Sequence, residues 1–266
     1  DIFTYDLSGS NEMRRLTFGG QSRYPVWSAD GTRVAFQSAR ESARGVFWQA
    51  ADGSGPLEQL TTSAEGEEHL PESWSRNGRH LLVSVLKDKR YTLWVFTPSD
   101  KTLERFGRVE SAEPPSATFS PDGRWVAYAA TAVAGGVLSR NRGVFVEPFP
   151  PTGEKHQVPK QLIDFHPAWS PDGRRIFYIP AVSRPLVAVE VTTQPSVSFG
   201  TPIDRPEAPR PGILSVGIRG YDVLPDGRVL GLGTGNVGEA DSTNNSISVT
   251  LNWFEELKRL APTSAR

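Results

Sequence analysis

Four histidines, His69, His80, His156 and His166, are the side chains of this sequence best suited to general-base work near neutral pH. A hydrolytic triad also needs a nucleophile and an acid that orients the base. No Gly-x-Ser-x-Gly elbow accompanies these histidines, and with zero cysteines there is neither a thiol nucleophile nor a thiolate metal site. His80 follows a turn and His156 stands in a polar Gly153-Glu154-Lys155-His156 loop, so both read as surface residues. His69 and His166 differ, because each lies beside a proline, Pro71 and Pro167, at the start of a β-rich run.

Glu68, Glu72 and Glu113 could offer oxygens to calcium, but no Asp-x-Asp-x-Asp-Gly loop is present and no metal is expected. Gly233-Thr234-Gly235-Asn236-Val237-Gly238 spells the phosphate-binding Gly-x-Gly-x-x-Gly. That motif cradles a phosphate only between a strand and a helix, and no helical pattern follows it. The segment reads as a loop, and no cofactor is expected.

The elements that must position such residues are set by a repeat. Trp27-Ser28-Ala29-Asp30-Gly31, Trp74-Ser75-Arg76-Asn77-Gly78, Phe119-Ser120-Pro121-Asp122-Gly123, Trp169-Ser170-Pro171-Asp172-Gly173 and Val223-Leu224-Pro225-Asp226-Gly227 recur with glycines 45 to 54 residues apart. That period fits one four-stranded propeller blade. Asp or Asn bonds the backbone that follows it and Gly accepts a positive φ, so each motif predicts a hairpin turn. The bulky first residue predicts a side chain wedged between neighbouring sheets.

Second strands follow at Val34-Ala35-Phe36, Leu81-Leu82-Val83, Val126-Ala127-Tyr128, Ile176-Phe177-Tyr178 and, less regularly, Val229-Leu230. Third strands read at Val46-Phe47-Trp48, Leu93 to Phe96, Val144-Phe145-Val146 and Leu186 to Val189, with flanking runs at Ile2 to Tyr5 and Ile247 to Leu251. Outer strands read at Arg15-Leu16-Thr17, Gln59-Leu60-Thr61, Leu103-Glu104-Arg105 and Gln161-Leu162-Ile163.

These runs define one all-β domain over residues 1–266, a six-bladed propeller with five inner hairpins and an incomplete first blade. The partial blade is 1–18, further blades are 19–61, 66–106, 111–163, 164–204 and 213–252, and a short helix, capped by Asn252 and stopped by Pro262, is expected over 252–261. A blade is apolar on both faces, so a missing upstream hairpin is expected, with the strands at Ile2–Tyr5 and Ile247–Leu251 close together.

Innermost strands line the channel, so matching positions converge there. Arg23, Tyr24, Glu68, His69, Glu113, His166, Arg219 and Tyr221 are the candidate binding residues at its mouth. Such a polar ring suits a peptide terminus or a small anion, and a solvated channel whose groups pair with one another is the plainer alternative.

Composition narrows the partners. Lys plus Arg number 29 against 30 Asp plus Glu, with no like-charge block, so no footprint for nucleic acid is visible. No stretch approaches a spanning helix, so this segment is not expected to enter a membrane.

Asp1-Ile2-Phe3-Thr4-Tyr5-Asp6-Leu7 with Arg15-Leu16-Thr17-Phe18, Val144 to Pro150 (VFVEPFP) and Leu251 to Lys258 (LNWFEELK) carry a family likeness that runs along the whole chain. The sequence resembles TolB-like (WD-repeat-like) β-propellers, in particular the C-terminal propeller of bacterial serine/threonine kinases of the eukaryotic type. The resemblance implies a sensory or protein-binding propeller beyond a membrane anchor, outside the cytoplasm. No His-Arg-Asp loop or Asp-Phe-Gly occurs in these residues. The expected function is therefore a non-catalytic binding or scaffold module, with a propeller hydrolase of the lactonase or esterase kind, using a metal or acid–base pair in the channel, as the alternative.

Overall fold

The computed structural model describes residues 1–6, 13–40, 43–131, 141–181, 184–205 and 219–231. All of them belong to one compact unit, Asp1–Leu232; a second unit comprises Gly233–Arg266. The expected helix at 252–261, the strand at Ile247–Leu251 and the glycine motif at Gly233–Gly238 lie outside the described residues.

The regular structure described is entirely β-strand. β1 (Phe3–Tyr5) and β2 (Met13–Arg15) pair antiparallel as a two-stranded sheet. Then come three meanders of four strands each. The first is β3 (Ser22–Trp27), β4 (Arg33–Arg40), β5 (Ala43–Ala50) and β6 (Glu58–Gln59). The second is β7 (Glu67–Trp74), β8 (Leu81–Lys87), β9 (Arg90–Thr97) and β10 (Thr102–Ser111), and the third β11 (Thr118–Phe119), β12 (Trp125–Thr131), β13 (Arg142–Pro148) and β14 (His156–Gln157). A fourth holds β15 (Phe165–Trp169), β16 (Arg175–Ile179), β17 (Leu186–Thr192) and β18 (Ser198–Phe199), with β19 (Ile203–Arg205) also on β17. The pair β20 (Tyr221–Val223) and β21 (Val229–Gly231) completes the described part. The innermost strands β3, β7, β11, β15 and β20 are neighbours in that order. Successive meanders stacked on their inner strands are the architecture of a β-propeller.

The repeat motif forms the inner turns as expected. Gly31, Gly78, Gly123, Gly173 and Gly227 have φ between 69 and 83°. Each Asp or Asn accepts the amide two residues on, for instance Arg124 N at 3.1 Å from Asp122. The serine, given no role by the sequence reading, ties the turn together: the Ser120 hydroxyl donates to Asp122 and accepts the Trp125 amide at 3.0 Å. In the fifth copy Leu224 stands in its place, and that hairpin is short.

Packing between sheets follows the bulky motif residue. Trp74 stacks on Trp48 of the preceding sheet at 5.6 Å, over Ala35 and Val46. Trp169 packs likewise on Ala127, Ala129, Val144 and Val146. The expectation of burial fails at Trp27, which is 52% exposed. Among the described residues the sheet before it consists of β1 and β2, beside which Ile2 and Leu16 pack with Val34 and Phe36, and Trp27 is not part of that cluster.

Two further corrections concern the third sheet. Its outer strand is His156–Gln157 rather than Gln161–Ile163, because Val158 continues the pairing onto Val144 at 3.0 Å and drops into the core. The amides of Gln161 and Leu162 turn instead to the Asp164 carboxylate. His156 is consequently a half-buried strand residue against Trp125, not a loop residue.

Gly45 offers a direct check of this packing. Its φ is 148°, and a Cβ there would stand 1.9 Å from the Thr61 carbonyl oxygen, a backbone atom two residues past the adjacent outer strand. Gly45→Ala is expected to cost about 3 kcal/mol in urea unfolding, as overpacking against a fixed backbone. Gly31→Ala, with open space around it, should cost about 1 kcal/mol through φ alone. Equal losses would mean that β5 and β6 do not approach as described.

Candidate functional site in the channel wall

Three innermost strands carry a bulge at the same level. Pairing slips between Arg23 and Val26, between Pro71 and Ser73, and between Phe165 and Ala168. Three non-glycine residues adopt left-handed backbone nearby: Tyr24 (φ 55°), Ser116 (φ 49°) and His166 (φ 51°). Each stands three residues before its wedge, Trp27, Phe119 and Trp169. A bulge re-aims a side chain, and bulky residues tolerate such φ only where the surroundings impose it.

Glu72 comes from the bulge of β7. Its carboxylate takes the Ser84 hydroxyl at 2.5 Å and the backbone amides of Ser116 and Ala117. It lies deep between the second and third sheets yet keeps part of its surface open. Burial pushes its pKa up to about 7, against the pull of Ser84 and of the Arg219 charge. Glu113, half-buried before β11, is also raised by burial, opposed by Arg142.

Arg142 begins β13 and has no exposed surface. Its Nη2 donates to the Pro114 carbonyl at 2.8 Å, and its guanidinium lies 5.0 Å from the Phe165 ring centre. Burial lowers its pKa to about 10, with Glu113 and Glu72 holding the charge in place. Nε and Nη1 have no hydrogen-bond partner among the described residues. Across from these groups, burial pushes Tyr91 up to about 12, reinforced by Tyr24, Glu113, Glu68 and Glu72. Tyr24 is raised in the same way, by burial foremost. Glu68 accepts from Gln37 at 3.3 Å.

The structure thus brings Tyr24, Glu68, Glu113 and Arg219 of the expected ring within electrostatic reach of one cluster, Arg219 also holding the Pro167 carbonyl at 3.2 Å. Arg23 is exposed beside Tyr24. Two expected members are wall residues instead. His69 is buried with Nδ1 on the Thr61 hydroxyl at 2.9 Å, and burial lowers its pKa. Tyr221 is buried in the core between the last sheets, its hydroxyl on the His166 carbonyl at 2.6 Å. In both, the polar atom serves a hydrogen bond inside the wall, which is how a buried hydroxyl or imidazole avoids a desolvation cost. His166 pairs through Nδ1 with the Ser116 hydroxyl at 2.6 Å.

Four residues of the cluster escaped the sequence reading in this role. Glu72 entered only as a metal ligand, while Tyr91, Ser116 and Arg142 did not enter at all. Ser116 and Glu72 carried a usable signal, since they stand three and two places before the wedge. Tyr91 and Arg142 stand at the starts of third strands, second and first in β9 and β13, and nothing in their spacing points inward.

Ser116 and His166 resemble a nucleophile and base, but they are 5% and 1% exposed, so a substrate carbonyl does not reach them in this arrangement. No three His, Asp or Glu residues among those described are placed to hold a metal. A separate cavity of about 450 Å³ lies at the hairpin turns, lined by Ser75, His80, Pro121 and Phe149 among others. Two of its polar groups are already used, Ser75 within its turn and His80 on Thr97 at 3.2 Å.

No family model matches this sequence, and no curated protein matches it. Solved structures do. TolB from Acinetobacter baumannii superposes with a TM-score of 0.62 at 16% identity, over 86% of this chain and 52% of that one. A putative TolB from Agrobacterium tumefaciens gives 0.56 at 13%, over 76% and 74%. A puromycin hydrolase gives 0.50 at 16%, over 82% and 34%. The chain spans about half the length of the Acinetobacter protein. At these identities the likeness shows the fold alone: the chain is an all-β propeller of the TolB type.

Proposed function

We propose that this chain is a non-catalytic binding propeller whose recognition surface is the channel wall around Tyr24, Glu68, Glu113 and Arg219, with His69, His166 and Tyr221 as its structural support. The observation that carries the reading is the convergence of carboxylates, phenols and guanidinium groups from separate sheets, while the serine–histidine pair, Ser116 and His166, is closed off from solvent. The likeness of Asp1 to Leu7 with Arg15 to Phe18, and of Leu251 to Lys258, to the C-terminal propeller of bacterial serine/threonine kinases of the eukaryotic type supports a finer version: the sensory or protein-interaction module of a larger signalling protein, outside the cytoplasm. Protein, peptide and small-molecule ligands all suit such a module.

Panning a random peptide library against the chain is expected to enrich sequences that a Tyr24→Ala, Glu68→Gln double variant no longer retains, with circular dichroism unchanged. The hydrolase reading has its own support in the 2.6 Å contact of Ser116 with His166. Saturable turnover of aryl esters or lactones that disappears in Ser116→Ala would overturn the binding reading, as would equal enrichment by the double variant.

A further inference from the structure

The cavity at the hairpin turns lies where the repeat departs twice from its own pattern. The third residue of the turn motif is Pro121, Pro171 and Pro225 in the last three copies but Arg76 in the second. Between the third and fourth sheets that proline closes the gap, since the Pro121 ring stands 3.6 Å from where a Cβ on Gly173 would be. Between the second and third sheets the matching space beside Gly123 is open to 4 Å, and the exposed Arg76 lines the cavity instead. The second departure is Phe149. Its amide donates to the Arg124 carbonyl at 2.7 Å, the bond that Ala51 makes to Thr32 and Val191 to Arg174, each at 2.9 Å. The three residues are therefore equivalent, and of them the third sheet's alone is aromatic. Its ring is fixed edge to face against Phe119 and against His80, both at 5.0 Å.

The result is an apolar floor with charge at its edge. Phe149 and Pro121, both half-buried, and the side-chain-free Gly123 offer flat apolar surface, in a volume of about 450 Å³. Small-molecule sites span roughly 300–1,000 Å³. The acid of the lining, Asp122, is engaged by the Ser120 hydroxyl and by Arg124. Arg76 and its neighbour Arg79 have no side-chain hydrogen bond or ion pair among the described residues, and His80, whose Nδ1 takes Thr97, has none at Nε2. The unmatched charge is therefore positive, and a planar guanidinium fork matches a carboxylate. We propose that this cavity binds a carboxylate carried on a flat aromatic ring, with the ring on Phe149 beside Pro121 and His80 and the carboxylate on Arg76. A free aromatic acid and the C-terminal aromatic residue of a peptide share that chemistry. Burial foremost, and then the Arg79 charge, lower the pKa of His80, so near neutral pH the positive charge here is that of the arginines. The site is separate from the channel wall and does not rest on the reading of that wall.

The test is calorimetric titration of the whole chain near neutral pH with phenylacetate and with N-acetylphenylalanine, and with phenylacetamide and acetate as ring-only and charge-only controls. At least one of the two acids is expected to bind saturably with Kd below about 1 mM, and both controls at least about tenfold more weakly. Whichever acid binds more tightly tells a free acid from a peptide terminus. Arg76→Pro restores the residue of the later copies in a turn of the same form, Gly78 N on the Ser75 carbonyl at 2.8 Å against Gly123 N on Ser120 at 2.9 Å, so it should fold. It closes the space and removes the charge, and should weaken binding at least about tenfold. Arg76→Gln changes an exposed side chain, keeps the space and removes only the charge, and should do the same. The Tyr24→Ala, Glu68→Gln double variant should bind as the wild type does. No saturable binding by either acid, equal binding of phenylacetamide or acetate, wild-type affinity in either Arg76 variant, or loss of binding in the channel double variant would each overturn the proposal.

Discussion

Trp169→Ala is expected to lose about 3–5 kcal/mol of unfolding free energy, the range for removing a large buried ring and leaving a cavity. Trp169 is 7% exposed and lies on the face of the third sheet among Ala127, Ala129, Val144 and Val146, with Val187 and Val189 behind it. Its indole Nε1 has no hydrogen-bond partner among the described residues, so its contribution comes from burial of the ring rather than from a polar contact. Trp27 occupies the same place in the repeat but is 52% exposed, and Trp27→Ala should cost less than about 1 kcal/mol, as surface changes do. Urea unfolding of the two variants measures the difference directly. Similar losses at both positions would mean that something covers Trp27 in solution as a sheet covers Trp169.

A pH dependence centred on Glu72 should be nearly as large. In the folded chain this carboxyl keeps its proton up to about pH 7, whereas its ordinary value is 4.5. Between those values the folded state binds the extra proton, so stability falls as pH rises through the window. The cost is absent below the unfolded value and fully present above the folded one. Its upper size is about 3 kcal/mol, from the separation of the two values at 1.36 kcal/mol per unit. Glu113 and Asp164, raised by burial, act in the same direction, and hydrogen-bonded surface aspartates such as Asp172 act in the opposite one. The informative quantity is therefore the difference between the wild type and Glu72→Gln. That variant should unfold at higher urea than the wild type at pH 8 and lose this advantage at pH 5. A difference independent of pH would show that Glu72 is ionised throughout, held so by Arg219 and the amides of Ser116 and Ala117.

Local chemistry was legible in the sequence wherever a residue's role depends on its immediate neighbours. The turn at Ser120 to Gly123 is closed by the side chain of Asp122 and the φ of Gly123, and both were read correctly. Its serine was passed over, because a hydroxyl that bridges Asp122 and Trp125 acts across five residues rather than one. The outer strand of the third sheet was misplaced for a related reason. Gln161-Leu162-Ile163 has a strand-like pattern, but Val158 already fills the place beside Val144, and Asp164 draws the later amides into a turn.

The candidate site was legible only in part. Tyr24, Glu68, Glu113 and Arg219 could be chosen from the sequence because each stands in or just before an innermost strand, which is recognised by its distance from the motif. His69 and Tyr221 passed the same filter yet bond inside the wall, since an alternating strand sends neighbouring side chains to opposite faces and a bulge changes which face that is. Arg142 was invisible, because a long side chain starting on a third strand reaches the cluster only through the packing of two sheets.

The amino-acid sequence by itself therefore determined the repeat, the propeller and the inner hairpins, because period, turn chemistry and alternation act over a few residues and recur. Tertiary structure alone decided which wedge is buried, Trp74 and Trp169 but not Trp27, and which polar side chains meet. Both depend on what residues far along the chain supply: Ala127, Ala129, Val144 and Val146 for Trp169, and the Pro114 carbonyl, 28 residues away, for Arg142.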